Sequence, residues 1–218
     1  RTHWGRLADF FVLDTRQYRS QQCGEVGPPC EDQTLQMLGA RQSRWLDRRL
    51  GRSRADWAVL GQQVVCSRMD FNPGEGEFYN LDQWDGYIPA REQVLATLRE
   101  KRPRDNIVLT GDIHASCVSD VLSDYYDPSS AIVGTEFVGT SISSNGSSLL
   151  QAVLPSVVAG NPHFKWGDTS RRGWVKHTVT SQEWRADYRH VDNARVENSP
   201  VRTAKSWVVP RGGWVSEV

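Results

Sequence analysis

An acidic residue and a histidine follow a short apolar run in the middle of the chain. Residues 107–110 read Ile-Val-Leu-Thr, and residues 111–114 read Gly-Asp-Ile-His. The run predicts a short buried strand, and Gly111 lets the backbone turn sharply where that strand ends. Side chains at positions i and i+2 can point the same way, so Asp112 and His114 are expected to converge at the rim of a sheet. A carboxylate that converges with a neutral imidazole forms part of a site for a divalent or trivalent metal ion.

The composition of the chain limits the classes of protein to which it can belong. Its 218 residues are enough for one domain with a sizeable core or for two small ones. The 26 basic residues equal the 26 acidic residues in number, which disfavours a general nucleic-acid binder. No transmembrane segment is expected, because Gln151, Pro155 and Ser156 interrupt the longest apolar candidate, residues 149–160. The first residues lack the apolar core of a signal peptide and resemble the interior of a protein.

The four cysteines fall into two kinds. Cys23 and Cys30 flank a turn-rich Gly-Glu-Val-Gly-Pro-Pro segment, a pattern that indicates a local disulfide and an oxidising compartment. The alternatives are two free thiols or half of a zinc site, although the spacing is wider than that of usual zinc ligands and no second pair follows. Cys66 and Cys117 lie in apolar segments that resemble strands, and we expect them to be buried core thiols.

The hydrophobic pattern predicts alternating strands and helices in the first half of the chain. The predicted elements are a strand at 9–13, a loop at 23–33, a helix at 37–50, a strand at 57–66, a loop at 70–87, a helix that begins at Pro89 and a strand that ends before Gly111. This alternation is typical of an α/β layered domain. Further strands are predicted at 115–122, 132–138, 173–179, 184–191 and 207–209, with a loop at 141–148. No internal repeat or clear linker is visible, so one domain is the simpler interpretation.

Several segments, taken together and in order, resemble the PhoD family, the alkaline phosphatase D type of metallophosphatase. The longest read Leu-Asp-Thr-Arg-Gln-Tyr-Arg at 13–19, Asn-Leu-Asp-Gln-Trp-Asp-Gly-Tyr at 80–87, Leu-Thr-Gly-Asp-Ile-His-Ala-Ser at 109–116 and Glu-Phe-Val-Gly-Thr-Ser-Ile at 136–142. Shorter ones lie at 37–42, 45–46, 161–165 and 172–175. The resemblance implies a calcineurin-like α/β fold, with two mixed sheets packed face to face, helices outside, and a dinuclear metal centre at the strand ends. It also implies a secreted or extracytoplasmic bacterial protein.

The resemblance covers only the second half of the family pattern. The first half supplies a metal-binding Cys, an Asp with a nearby Tyr, and an Asp-Asp-His-Glu segment, none of which occurs here. We therefore expect residues 1–218 to be the C-terminal part of a single domain, and an N-terminal fragment of the same protein to complete the metal centre. A proteolytic nick and a truncation both remain open as the origin of the chain.

Three residues are candidate metal ligands. The resemblance assigns Asp112 and His114 to the metal shell, in agreement with their spacing. Gln62 stands at the end of the second predicted strand, where the family usually has Asn, and its amide oxygen could bind a hard cation. The alternative is a hydrogen-bonded polar pair formed by Gln62 and Gln63 at a strand end.

Other polar and aromatic residues are candidates for contact with substrate. Arg16 is a candidate phosphate clamp, although an Asp–Arg network that fixes the loop is the alternative, above all for Asp14 and Arg19. The candidates for stabilising charge on the phosphate or its leaving group are His163 and Lys165. In the long loop before the second helix, Trp84 and Tyr87 are expected to line the substrate site, with aromatic packing as the alternative.

Metal-dependent hydrolysis of a phosphate ester outside the cytoplasm is the function that these features indicate. The resemblance points to an Fe³⁺ and Ca²⁺ pair, with Mn²⁺ or Zn²⁺ as alternatives. The expected substrate of the protein is a phosphate monoester or diester. A phospholipase D-type reaction on phospholipids is the alternative within the same family. A non-catalytic fragment or binding module is the alternative from a different class.

Overall fold

A computed structural model describes residues 1–74, 76–102, 104–127 and 129–218, and its largest sheet has seven strands. In spatial order these strands are β1 (Thr2–Trp4), β2 (Ala8–Val12), β4 (Trp57–Gly61), β6 (Asn106–Thr110), β8 (Ile132–Val138), β7 (Ser116–Leu122) and β9 (Phe164–Asp168). The central strands β2, β4, β6 and β8 run parallel, and the flanking strands pair antiparallel. Because the four central strands are parallel, the loops after them gather at one edge of the sheet.

Helices α1 (Gly39–Leu50) and α2 (Ile88–Lys101) cover one face of this sheet. Leu46 and Leu50 of α1 are spaced one helical turn apart, and both are buried in a cluster with Leu60 of β4. In α2, Pro89 lies in the first turn, where its missing N–H is not needed. Both helices confirm the sequence prediction, and Leu98 of α2 is buried in the same cluster.

A second sheet packs on the opposite face. Its order is β10 (Arg172–Val179), β11 (Glu183–Val191), β12 (Val201–Pro210) and β13 (Ser216–Glu217). Alternate residues of β11 point inward, and the Trp184 ring meets Trp57 of β4 edge to face, with 6.0 Å between ring centroids. The α/β architecture of helices and packed sheets is therefore as expected. One detail differs: the second sheet is antiparallel throughout the described residues, whereas a mixed one was expected.

Helix α3 (Ser148–Gly160) is an element that the sequence pattern did not predict. Pro155 lies inside it and removes one internal hydrogen bond, which made the segment look interrupted. Leu154 and Val157 nevertheless pack against β7 and β8, and Ser147 caps the first turn by accepting a hydrogen bond from the Leu150 amide. Burial of the apolar face outweighs the cost of the proline.

Other boundaries also differ from the predictions. The strand expected at 57–66 ends at Gly61, because the chain turns there to place Gln62 and Gln63 at the sheet edge. The short strand predicted at 207–209 is the ten-residue β12. The predicted loops contain β3 (Val26–Gly27), which pairs with β5 (Tyr79–Asn80), and a 3₁₀ helix at Trp84–Tyr87.

The cysteines behave as expected from their surroundings. Cys23 and Cys30 form a disulfide, while Cys66 and Cys117 are free and buried. Burial raises the pKa of both free thiols, so they stay protonated at neutral pH. Among the described residues, no helix has the length and apolar character needed to cross a membrane.

Replacement of Gly86 by Ala should destabilise the fold. Gly86 is buried in the 3₁₀ helix, and an added Cβ would overlap the backbone carbonyl of Leu81, which cannot swing aside like a side chain. We expect Gly86→Ala to lower the free energy of unfolding by about 2 kcal/mol or more. Gly61→Ala is the matched control, because its Cβ would meet no atom within 4 Å. Urea unfolding of both variants provides the measurement, and equal stabilities would contradict the packing at Gly86.

Candidate metal and phosphate site

Asp112 and His114 lie in the loop after β6, at the edge where the parallel strands end. Both adopt a left-handed backbone conformation, with φ of 69° for Asp112 and 57° for His114. Residues other than glycine rarely adopt it, and each costs about 1–2 kcal/mol. Two such residues in one three-residue turn mark a segment whose geometry serves a purpose other than stability.

The Asp112 carboxylate is held at both of its oxygens. Its Oδ1 accepts a hydrogen bond of 2.8 Å from Nη2 of Arg16, and its Oδ2 accepts one of 2.9 Å from the side-chain amide of Gln83. Gln83 is in turn fixed by the Val65 amide, which donates to the Gln83 side-chain oxygen. These contacts set the direction of the carboxylate while about a third of the side chain stays accessible.

The imidazole of His114 is anchored through one nitrogen. Its Nδ1 lies 2.7 Å from the backbone carbonyl oxygen of Asn145. Because a carbonyl oxygen only accepts, Nδ1 carries the proton, and the neutral ring keeps its lone pair on Nε2. No described residue hydrogen-bonds Nε2. Metal-binding imidazoles commonly donate their other ring N–H to a backbone carbonyl in this way.

Arg16 joins Asp112 to a second carboxylate. Its Nη1 lies 2.7 and 2.8 Å from the two oxygens of Asp82, and Arg19 donates to Asp82 at 2.8 Å. Burial alone would raise the pKa of Asp82, but the two guanidinium groups outweigh it and lower the pKa below its usual value. An Asp–Arg network therefore does fix this loop, with Asp82 as its acid. Asp14 instead accepts two backbone hydrogen bonds within its own turn.

The side-chain oxygen of Gln62, the atom that would bind a metal, already accepts two hydrogen bonds. Its side-chain oxygen accepts from the Trp84 indole at 3.0 Å and from the Val64 amide at 3.2 Å, while its nitrogen donates to Thr110 at 2.6 Å. An amide oxygen has two lone pairs, and both face N–H donors here. The structure therefore supports the alternative, a satisfied polar pair, rather than a metal ligand, and Gln63 accepts two hydrogen bonds from Thr15 in the same way.

The two aromatic candidates lie in the core rather than on the substrate side. Trp84 is buried and uses its indole N–H on Gln62, and Tyr87 is buried with its hydroxyl donating to the Ser20 carbonyl at 2.9 Å. These contacts tie the 3₁₀ helix to the sheet. The packing alternative holds for both residues.

His163 immediately precedes the edge strand β9, and Lys165 lies on that strand. The Nε2 of His163 donates to the Arg68 carbonyl at 2.6 Å, and burial lowers the pKa of this imidazole to about 4. Lys165 forms an ion pair with Asp120 at 2.6 Å. Both side chains are already paired and neither lines the cavity at Asp112, so the structure gives their predicted contact with the phosphate no support and it stays a prediction.

A cavity of about 620 Å³ opens beside Asp112 and His114, and sequence reasoning missed its walls. Phe71 and Phe78 come from the long loop, and Leu150 and Val153 come from the unpredicted α3. Three polar neighbours were also missed, namely Gln83, Asn145 and Arg172, whose guanidinium donates to the His114 carbonyl at 2.9 Å. Gln83 and Arg172 lie inside family segments, so position in those segments was the available signal.

Comparison with known proteins agrees with this geometry. Residues 1–188 match the PhoD-like phosphatase family. The chain belongs to this family. It is 39% identical over 211 residues to alkaline phosphatase D of Bacillus subtilis (strain 168), an alignment that covers 94% of this chain and 36% of that protein. A solved structure of PhoD superposes with a TM-score of 0.92 at 37% identity, covering all of this chain and 43% of that one. The chain thus spans less than half the length of these PhoD-like relatives.

The left-handed backbone at His114 leads to a stability prediction. Glycine adopts this conformation without a steric penalty and alanine does not, so His114→Gly should be more stable than His114→Ala by about 1 kcal/mol. Both variants lose the hydrogen bond to Asn145, so that loss cancels. At the exposed helical position Glu92 the order should reverse, with Ala more stable than Gly by about 1 kcal/mol. Thermal unfolding of the four variants tests the reversal, and a common order at both sites would contradict the assigned backbone.

The disulfide should stabilise one wall of the cavity. It closes a short loop that carries β3, and Val26 of that strand lines the cavity while pairing with Asn80 of β5. Double replacement of Cys23 and Cys30 by Ser should cost about 2 kcal/mol, since the open loop gains chain entropy. Hydrogen exchange should accelerate at the Leu81 amide, which bonds to the Glu25 carbonyl. The Gln62 amide, bonded to Leu109, serves as the internal reference. Unchanged exchange at Leu81 would show that the wall does not depend on the disulfide.

Proposed function

We propose that residues 1–218 form the C-terminal part of one metallophosphatase domain that hydrolyses phosphate esters. The observation that carries this proposal is the turn after β6. There a carboxylate fixed at both oxygens and an imidazole with a free Nε2 border one cavity. Membership of the PhoD-like phosphatase family supports the same reaction class.

The donor set fits part of a metal centre. Carboxylate oxygen suits hard cations and imidazole suits transition metals, which accords with an Fe³⁺ and Ca²⁺ pair and with Mn²⁺ or Zn²⁺ as alternatives. No cluster of three or more His, Cys, Asp or Glu suited to a metal occurs among the described residues. The proposal therefore includes further ligands from an N-terminal segment. When bound, such a centre supplies Lewis acidity toward the phosphate and lowers the pKa of water.

Residues of this chain orient the reacting groups. Gln83 and Arg16 keep the Asp112 carboxylate in one direction, so little reorganisation is needed when a ligand arrives. Arg16 is held by Asp82 with its guanidinium beside Asp112, where a phosphate oxygen is its natural further partner. Asn145 holds the His114 ring so that Nε2 remains the ligating atom.

The cysteine chemistry supports a location outside the cytoplasm. A disulfide that closes a short exposed loop persists in oxidising compartments and is rare in the cytosol. We therefore propose a secreted or extracytoplasmic protein.

A phospholipase D-type diesterase is the second candidate function. The exposed apolar side chains Leu149, Phe78 and Val26 surround the cavity, and an apolar rim of this kind favours contact with a lipid. A non-catalytic binding module is separated from both hydrolases by the test below, because it predicts no metal-dependent turnover.

Substitution of His114 by Ala tests the proposed function. In the longer protein that includes the N-terminal segment, His114→Ala should lower turnover of 4-nitrophenyl phosphate by several orders of magnitude and reduce bound metal measured by mass spectrometry. The physical reason is the loss of one ligand from the shell that activates water. His3→Ala is the control, because His3 lies on strand β1 at the sheet margin. Near-normal turnover in His114→Ala, with circular dichroism unchanged, would refute the assignment.

A further inference from the structure

We propose that the cavity beside Asp112 and His114 binds an uncharged, apolar substituent of the phosphate ester, such as an aryl group or a short alkyl chain. This inference rests on the proposed function, because it places the phosphate at Asp112 and His114. It adds a selectivity site that distinguishes among phosphate esters.

A large part of the cavity wall is apolar, and its apolar residues come mainly from the loop between β4 and β5 and from α3. Met69 and Phe71 follow the β4 loop, Phe78 precedes β5, and Leu150 and Val153 belong to α3. Surfaces of this kind gain free energy when they remove an apolar group from water. A cavity of about 620 Å³ lies within the range of roughly 300–1,000 Å³ that holds small organic ligands.

The cavity joins the candidate metal ligands directly. Ile113 lies between Asp112 and His114 in sequence, and all three residues line it. A phosphate bound by a metal centre at these two candidate ligands would project one ester substituent toward the apolar part of the wall. The same turn thus serves both the reacting group and the selectivity site.

Charge excludes a second anionic group from this space. Among the described residues that line the cavity, none is Lys or Arg, and the charged ones are Asp82, Asp85 and Asp112. Asp85 is paired with buried Arg91, so that cation is already engaged. A second phosphate or a carboxylate would lose its hydration without gaining a free cation. The geometry points to a neutral substituent rather than a polyanionic chain.

The rim shows that apolar surface is exposed at the mouth. Phe78 is 41% exposed, and Leu149, in the first turn of α3, is 72% exposed. Exposed apolar side chains that cluster around one opening are typical of a binding site. Because the cavity has a limited volume, it favours a soluble ester with a short substituent. A membrane lipid is the alternative that the experiment below can detect.

Competitive inhibition by alkylphosphonates tests this site in the metal-loaded longer protein. Methyl-, butyl-, hexyl- and phenylphosphonate share the same anionic head and differ only in the apolar group. The inhibition constant against 4-nitrophenyl phosphate should fall by about fourfold for each added methylene up to hexyl. A matched phosphonate whose alkyl chain ends in a carboxylate should lose that gain.

Two valines on α3 provide a matched pair of variants. Val153 lines the cavity, whereas Val158 packs in the same apolar cluster but away from the cavity. Val153→Asp should abolish the difference between methyl- and hexylphosphonate, because a charge then faces the alkyl chain. Val158→Asp should retain that difference. Phe78→Ser, at the exposed rim, should reduce the gain for phenylphosphonate and guards against a folding defect in Val153→Asp.

Each result separates this inference from the proposed function. Hydrolysis with equal inhibition constants across the series would overturn the apolar site and leave the phosphatase assignment standing. Turnover of phosphatidylcholine vesicles without any chain-length dependence among soluble phosphonates would overturn it in favour of a membrane substrate. Absence of both hydrolysis and phosphonate binding would refute the proposed function itself.

Discussion

The buried carboxylate of Glu136 is the contact on which the arrangement of the strand ends depends. It accepts hydrogen bonds from the Cys66 and Ser67 amides at 2.9 and 2.8 Å, and from the Thr110 hydroxyl at 2.6 Å. Burial raises the pKa of Glu136, and its hydrogen bonds lower the pKa in part. A carboxylate without solvent access would be costly if any of these donors were missing. Glu136 therefore locks the loop after β4 onto the ends of β6 and β8.

From this contact a chain of hydrogen bonds reaches the candidate ligands. Thr110 accepts from Gln62, Gln62 accepts from Trp84, and Gln83, the residue before Trp84, donates to Asp112. Thr110, Gln62 and Trp84 hydrogen-bond to one another and so support the site rather than bind substrate or metal themselves. These contacts orient the Asp112 carboxylate through a network that extends along the sheet edge. The left-handed backbone at Asp112 and His114 costs conformational free energy, and it persists because surrounding contacts hold it from several sides.

The local sequence pattern was sufficient to predict the central strands and helices. It was insufficient to predict which partners their polar side chains contact. Strand β8 was predicted with its observed bounds, and helices α1 and α2 followed from their apolar period and from Pro89. The pair at Asp112 and His114 was identified because Gly111 ends an apolar run. Gln62 was chosen for its position at a strand end and His163 for its residue type, and neither feature reveals the partner that the side chain finds. The partners Trp84 and Arg68 are 22 and 95 residues away in sequence. Helix α3 was not predicted because Pro155 interrupts its sequence pattern. In the structure its apolar stripe is buried in the core, and this burial stabilises the helix.

The proposed reacting end and the proposed selectivity end of the site are held in place by different contacts. The Asp112 carboxylate is held by Arg16 and by Gln83 at the sheet edge, whereas the His114 ring is held by the Asn145 carbonyl in the loop before α3. The apolar walls are fixed by local contacts. The Cys23–Cys30 disulfide closes the loop that contains Val26, and Ser147 caps the first turn of α3. Locally closed segments open and change at lower cost than a central sheet. We therefore expect substitutions in the walls to alter which ester substituent fits while the Asp112 carboxylate keeps its geometry.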